Sequence, residues 1–175
     1  MNFIKACASR MADSRQKVYI VEHLDPELEQ WSALEYKTIA AESQDAGALF
    51  YLSSVPPNLQ VPGNLEGSRG LQIEQKGVEE LFAEKKERVC LLDPAAKVEL
   101  TPQDGERFDV FLFGGILGDD PPRDRTKELR KKGYEGRRLG PVQMTTDTAV
   151  RTTRMVVQSK GDLVLMSQHL SCMTA

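Results

Sequence analysis

An α/β domain built on a mainly parallel sheet is the fold class this sequence predicts, and three observations predict it. In Asp109-Val-Phe-Leu-Phe113 the four residues after the aspartate are apolar without interruption, the pattern of a strand covered on both faces. Short β-branched or aromatic runs alternate along the chain with stretches of helical spacing. At 175 residues, 40% hydrophobic and 28% charged, the chain has the size and composition of one domain with a real core. A tandem enzyme and a disordered chain are excluded, and so is a solenoid, because no segment recurs at a fixed period. The longest apolar stretches, around 48–52 and 110–117, fall far below the roughly 18 residues of a membrane helix.

The elements follow in order. Lys17-Val-Tyr-Ile-Val-Glu22 reads as a strand. Asp25-Pro26 supplies an N-cap and a first-turn proline, and Glu27 and Glu29 suit the positive end of a helix dipole, so a helix is expected from there to about Ser43. Leu28, Trp31, Leu34 and Ile39 are its expected buried stripe, and Ala46-Gly47 closes it before a strand from Ala48 to Ser53. Pro56, Pro57, Pro62 and Gly63 mark a long loop, followed by a short strand at Leu71–Glu74 and helical spacing over 77–86. Arg88–Leu92 is a strand broken by Asp93-Pro94; a helical turn at Pro102–Arg107 leads into Asp109–Phe113. A charged helix over 124–132, a strand at Arg137–Leu139 and a final helix to about Ser159, capped by Thr145 or Thr146, complete the domain over 17–159. Residues 1–16 are expected to form a disordered extension with a faint transit-peptide character, and 160–175 a divergent tail.

Charge is unevenly spread. The net charge of −3 excludes a globally basic nucleic-acid coat, yet Arg123–Arg138 holds eight basic and three acidic residues. That run reads either as a solvated helix face or as contact with an anionic surface such as a ribosome. Cys7, Cys90 and Cys172 have no paired spacing, so neither a disulfide framework nor a zinc knuckle is encoded; a reducing compartment fits, with Cys90 a buried small hydrophobe.

In an open parallel sheet ligands gather outside the carboxyl ends of the strands. Three such ends carry unusual loops: Leu91–Pro94, Phe113–Asp119 and Arg138–Thr148. Glycines after a buried strand let a ligand approach the backbone, whose polar groups can read an adenine edge or a ribose. Gly114-Gly-Ile-Leu-Gly118 is neither a dinucleotide fingerprint nor a P-loop, although Arg138 keeps an NADP phosphate open as an alternative; glycines that merely turn the chain are the plainer reading.

Longer motifs then carry a resemblance. Arg88–Pro94, Phe108–Asp119 with Pro121–Leu129, and Arg137–Gly140 with Gln143–Thr153 resemble the fungal protein-arginine methyltransferases of the SPOUT class, and Val18–His23 with Leu34–Tyr36 is similar to their amino-terminal start. The resemblance covers about 17–158. It implies a trefoil-knotted α/β fold, S-adenosylmethionine as methyl donor, no metal, an arginine of a small-subunit ribosomal protein as acceptor, cytoplasmic residence and a monomer. It assigns the donor to Leu92, Asp93, Pro94, Phe113, Gly114, Gly115, Ile116, Leu117, Gly118, Arg138, Leu139, Gly140, Gln143, Met144, Thr145, Thr146 and Thr148. The N-terminus of the helix starting near Thr145 would receive the donor's carboxylate.

Methyl transfer to a guanidinium needs a carboxylate to orient a permanently charged acceptor and take its proton. Glu35, on the expected apolar stripe, and Glu22, at the end of the first strand, are the candidates; an internal salt bridge is the competing reading for Glu35. His23 and Tyr36 read as packing residues, Asp119 and Asp147 as loop-ordering or donor contacts, and Arg123, Arg125 and Arg138 as braces that would oppose a cationic acceptor. An RNA methyltransferase of the same class, and a truncated donor-binding chain without turnover, are the alternatives. With 6% aromatics the chain offers little for gripping splayed bases.

Overall fold

The computed structural model describes residues 16–23, 25–115, 126–141 and 144–158. Six strands, β1 (Val18–Glu22), β2 (Leu49–Ser53), β3 (Leu71–Ile73), β4 (Val89–Leu92), β5 (Val110–Gly114) and β6 (Glu135–Arg137), form one sheet in the order β3-β2-β1-β5-β4-β6. All five pairings are parallel, with Ile20 opposite Tyr51 on one side and Leu112 on the other. The sheet is thus parallel throughout the described residues. Every residue of β1, β4 and β5 is buried, as expected of central parallel strands covered on both faces.

Five helices cover the sheet: α1 (Gln30–Asp45), α2 (Val78–Leu81), α3 (Asp104–Arg107), α4 (Thr126–Lys131) and α5 (Thr146–Gln158). Alternation along the strands divides the core. Tyr19, Val21, Cys90, Leu92, Phe111 and Phe113 pack with Tyr36 and Ile39 of α1 and Val150 and Val157 of α5. Val18, Ile20, Leu91 and Leu112 pack with Val78 of α2 and Leu129 of α4 on the opposite face. α1 and α5 therefore lie together on one face, and both start at the carboxyl edge of the sheet. Cys90 is a free cysteine, and burial pushes its thiol up to about 12; Cys7 and Cys172 lie outside the described residues.

Four expectations need correction. The first helix starts at Gln30, with Glu29 as its N-cap, and not at Asp25-Pro26. Its buried face is Ser32, Ala33, Glu35, Tyr36, Ile39, Ala40 and Ser43, whereas Trp31 is 68% and Leu34 52% exposed. The expected stripe fails on geometry: Ile39 stands five residues after Leu34, about 140° around the helix, so the two cannot share a face. Small residues at 32, 33, 40 and 43 let α1 approach its neighbours closely, and that decides which side is buried. The segment over 77–86 is not one helix, because α2 gives way to a 3₁₀ segment at Ala83–Arg88 with a non-helical break at Lys85. The last strand is Glu135–Arg137, two residues earlier than expected, since Arg137 N–H and carbonyl groups already serve the sheet beside Leu92 and Asp93.

Candidate active site

The site grows from the carboxyl ends of three neighbouring strands. β5, β4 and β6 are adjacent in the sheet, so the segments that leave them emerge side by side. Between these segments and the first turns of α4 and α5 lies an open cleft. Leu92, Asp93 and Pro94 line it from β4, Phe113 and Gly114 from β5, and Leu139, Gly140 and Met144 from the segment after β6. Thr146 lines it from the first turn of α5. All nine belong to the predicted donor set. Gly140 holds φ +120°, a backbone state that side chains resist, so the cleft wall there needs glycine.

Two lining residues were missed. Thr126 opens α4, and Ala149 stands three residues after Thr146 on the same face of α5, a spacing that does mark it once Thr146 is placed. Conversely, four predicted residues stand beside the cleft without lining it. A Cβ on Gly115 would meet the Tyr36 hydroxyl at 3.3 Å and Val21 at 3.5 Å, so this glycine lets the chain close over the core. Arg138 donates to Glu99 at 3.1 Å, the bracing role foreseen for it. Thr145 donates to Asp147 at 2.5 Å and lies 2.9 Å from the Thr148 hydroxyl, which orders the start of α5. Ile116, Leu117, Gly118 and Gln143, with Asp119, Arg123 and Arg125, lie outside the described residues.

Among the described residues the walls are mainly apolar, and the one charged lining group is already satisfied. Asp93 is buried and accepts from Arg130 at 2.5 and 2.7 Å, from the Ala95 N–H at 2.9 Å and from the Thr126 hydroxyl at 3.2 Å. Burial pushes its carboxyl up, but the hydrogen bonds from Arg130 and Ala95 hold it below the usual carboxylate range. Asp93 and Arg130 thus lock α4 against the end of β4.

The two candidate acids differ. Glu22 is buried on the α2 side of the sheet, where it accepts from Ser53 at 2.6 Å, Ser54 at 2.7 Å and the Val78 N–H at 3.2 Å, with Lys132 at 3.6 Å. Its oxygens tie β2 and the start of α2 together. Glu35 faces the α5 side, is 8% exposed, and burial together with the nearby Asp147 raises its carboxyl to about 7. A group that titrates there is suited to accept a proton at neutral pH. His23 and Tyr36 are buried and meet edge to face. Among the described residues no cluster of three metal-ligating side chains forms.

Comparison with known proteins decides the family: residues 18–167 match the model described as protein arginine N-methyltransferase SFM1-like. The chain belongs to that family. It is 44% identical over 155 residues to protein arginine N-methyltransferase SFM1 of Saccharomyces cerevisiae, covering 81% of this chain and 71% of the yeast protein. The crystal structure of that yeast enzyme complexed with SAM aligns with a TM-score of 0.72 and 42% identity, over 83% of this chain and 69% of the other. Further structures of the yeast enzyme are complexed with SAH and with MTA. The dual specific Trm10 from Thermococcus kodakaraensis aligns with a TM-score of 0.58 at 19% identity, over 83% of this chain and 94% of that one, a likeness of fold alone.

Proposed function

We propose that this chain is an S-adenosylmethionine-dependent methyltransferase whose acceptor is an arginine side chain of a small-subunit ribosomal protein. The observation that carries the reading is the convergence of three strand-end segments on one apolar cleft, in a chain 44% identical to an enzyme named for arginine methylation. The cleft suits the donor. Leu92, Phe113, Leu139 and Met144 offer faces for an adenine, strand-end backbone groups offer hydrogen bonds, and among the described lining residues no Lys or Arg demands a phosphate. The 13-residue helix α5 presents its N-terminus beside the cleft, where a carboxylate is favoured.

The donor supplies an electrophilic methyl on a sulfonium, and transfer leaves the C–S electron pair on sulfur. What the protein adds is alignment and a proton acceptor. Glu35 orients the acceptor guanidinium and takes the proton released from the methylated nitrogen; Glu22, whose oxygens are occupied, holds the strand ends in place. Asp93 fixes the cleft wall through Arg130. A trefoil knot closed around β6 and α5, cytoplasmic residence and a monomeric state belong to the same reading. The isolated cysteines support the reducing compartment, and no described helix is long and apolar enough to cross a membrane. Calorimetric titration with S-adenosylhomocysteine tests the cleft: saturable one-to-one binding that needs no added metal is expected, and no binding, or a preference for NADPH, would overturn it.

A further inference from the structure

The seam between α1 and α5 is closed at one end and open at the other. Gln158, the last residue of α5, donates to the Ala46 carbonyl at the end of α1 at 3.3 Å, so the two helices finish level at the amino edge of the sheet. Farther along, Arg151 and Arg154 both donate to Glu42 and join the helices side to side. α1 has 16 residues and α5 has 13, so at 1.5 Å per residue α1 overhangs the start of α5 by about 5 Å, close to one turn.

Trp31 stands in that overhanging turn. It precedes Glu42 by eleven residues, within about 20° of the same helix face, so it lies on the ridge that α5 covers lower down and leaves bare here. That accounts for exposures of 68% for Trp31 and 52% for Leu34, its neighbour three residues on. The other exposed large apolar residues, Ile73, Val98 and Met155, stand apart on β3, on the segment before α3 and on α5. Single residues of that kind are ordinary, whereas a tryptophan and a leucine side by side, at the edge where the donor cleft opens, make a patch.

The patch is held firmly and sits among acids. Leu28 packs on the core and pins the approach to α1. Glu27 and Glu29, on that approach, are exposed and join no ion pair among the described residues. Arg151 and Arg154 are committed to Glu42, and Lys37, one turn on from Leu34, is turned about 120° away from Trp31. The donor cleft is close: Gly114 lines it, and the next residue, Gly115, lies against α1, where its Cβ would meet the Tyr36 hydroxyl at 3.3 Å. Trp31 is five residues before Tyr36, ~7–8 Å along the axis, a distance that a few extended residues at about 3.3 Å each can span.

We propose that Trp31 and Leu34, with Glu27 and Glu29, form a docking shelf for the acceptor protein, whose occupant is a flexible basic segment with a bulky apolar side chain a few residues from the methylated arginine. Its biological occupant rests on the arginine-methyltransferase reading, and the shelf holds residues that flank the arginine, not the arginine itself. An indole presents a broad apolar face that loses little freedom on binding, which is why tryptophan recurs among the residues that dominate interfaces, and that face also receives Lys or Arg. The two carboxylates steer a cationic stretch onto it. A second copy of this chain, docked by two-fold symmetry, would set Glu27 and Glu29 close to their own copies, which disfavours that occupant.

The test exposes the full chain, immobilised with S-adenosylhomocysteine bound, to a pool of synthetic peptides with arginine fixed at the centre and random residues around it. Retained peptides should be enriched in Lys or Arg and in one bulky apolar residue to one side of the arginine, and should move the emission of Trp31, the single tryptophan, to shorter wavelength. In the double variant Trp31→Ser with Leu34→Ser the apolar preference should vanish and affinity for the retained peptides should fall at least about ten-fold. In Glu27→Gln with Glu29→Gln only the basic preference should weaken. Melting temperature and S-adenosylhomocysteine affinity should stay at wild type in both, which excludes a folding effect. No apolar preference in wild type, or one that survives in the Trp31→Ser, Leu34→Ser chain, would overturn the shelf, and so would a wild-type dimer that this variant breaks, since the occupant would then be a second copy. Equal retention of a pool centred on lysine, with the apolar preference intact, would sink the arginine reading and leave the shelf standing. Arginine-selective retention without the apolar preference would do the reverse.

Discussion

Glu35→Gln is expected to make the protein more stable and less active at once, with the gain absent below about pH 4.5, growing between there and about 7, and level above. Holding a carboxyl at about 7 in place of 4.5 withholds about 3 kcal/mol of folding free energy once the group is ionised. Solvent reaching the seam screens part of that, which leaves ~1.5–3 kcal/mol. The folded pKa is raised above the unfolded one, so below about pH 4.5 both states are protonated and nothing is withheld. Between about pH 4.5 and about 7 the unfolded chain has released the proton that the folded chain keeps, so wild-type stability falls across that window and levels off above it. Glutamine mimics the neutral acid in size and polarity. The variant should therefore match wild type at about pH 4 and exceed it by roughly 4–10 °C in melting temperature at about pH 8. Methyl transfer should drop about ten-fold or more, the effect of losing ~1.4 kcal/mol of transition-state stabilisation, while donor affinity barely changes. Melting curves across that pH range beside initial rates decide it. A destabilisation that is the same at every pH would show Glu35 to be a structural partner and not a strained acid.

Two further outcomes follow from the geometry. Ala149→Leu places three extra carbons in the donor cleft while keeping a strong helix former in α5, so S-adenosylhomocysteine affinity should fall at least about ten-fold with circular dichroism unchanged; wild-type affinity would move the donor elsewhere. Trp31, the single tryptophan, is largely exposed, so Trp31→Ala should change stability by less than about 0.5 kcal/mol and wild-type emission should be readily quenched by iodide; a loss of ~3–5 kcal/mol would return the indole to the core.

What the sequence made legible was what depends on local pattern. Unbroken apolar runs such as Val110–Phe113 announced doubly covered strands, and proline and glycine clusters bounded them, so the parallel sheet and its element order could be read directly. The strand-end loops could be read because a parallel sheet sends all its carboxyl ends to one edge. Choosing a helix face was harder: Trp31 and Leu34 are among the most hydrophobic residues of α1, yet the buried side was set by the small residues that permit close approach, a property of the partner surface and not of hydropathy. Glu35 was correctly singled out as a buried acid, although the stripe used to place it was wrong; its burial comes from the α1–α5 seam. Asp93 read as a donor contact, but its tie to Arg130 spans 37 residues, and no local pattern signals such a pairing. Ala149 went unmarked because a lone alanine carries no chemical signal until the helix phase is known.

Whether this chain moves a methyl group from S-adenosylmethionine to a protein arginine is decided by incubating it with labelled donor and small-subunit ribosomal proteins. The product is then split between RNase and protease treatments, and the labelled material is hydrolysed to amino acids. Label is expected to survive RNase, to be released by protease and to reside in N-methylarginine. Label in RNA, or in an amino acid other than arginine, would contradict the assignment.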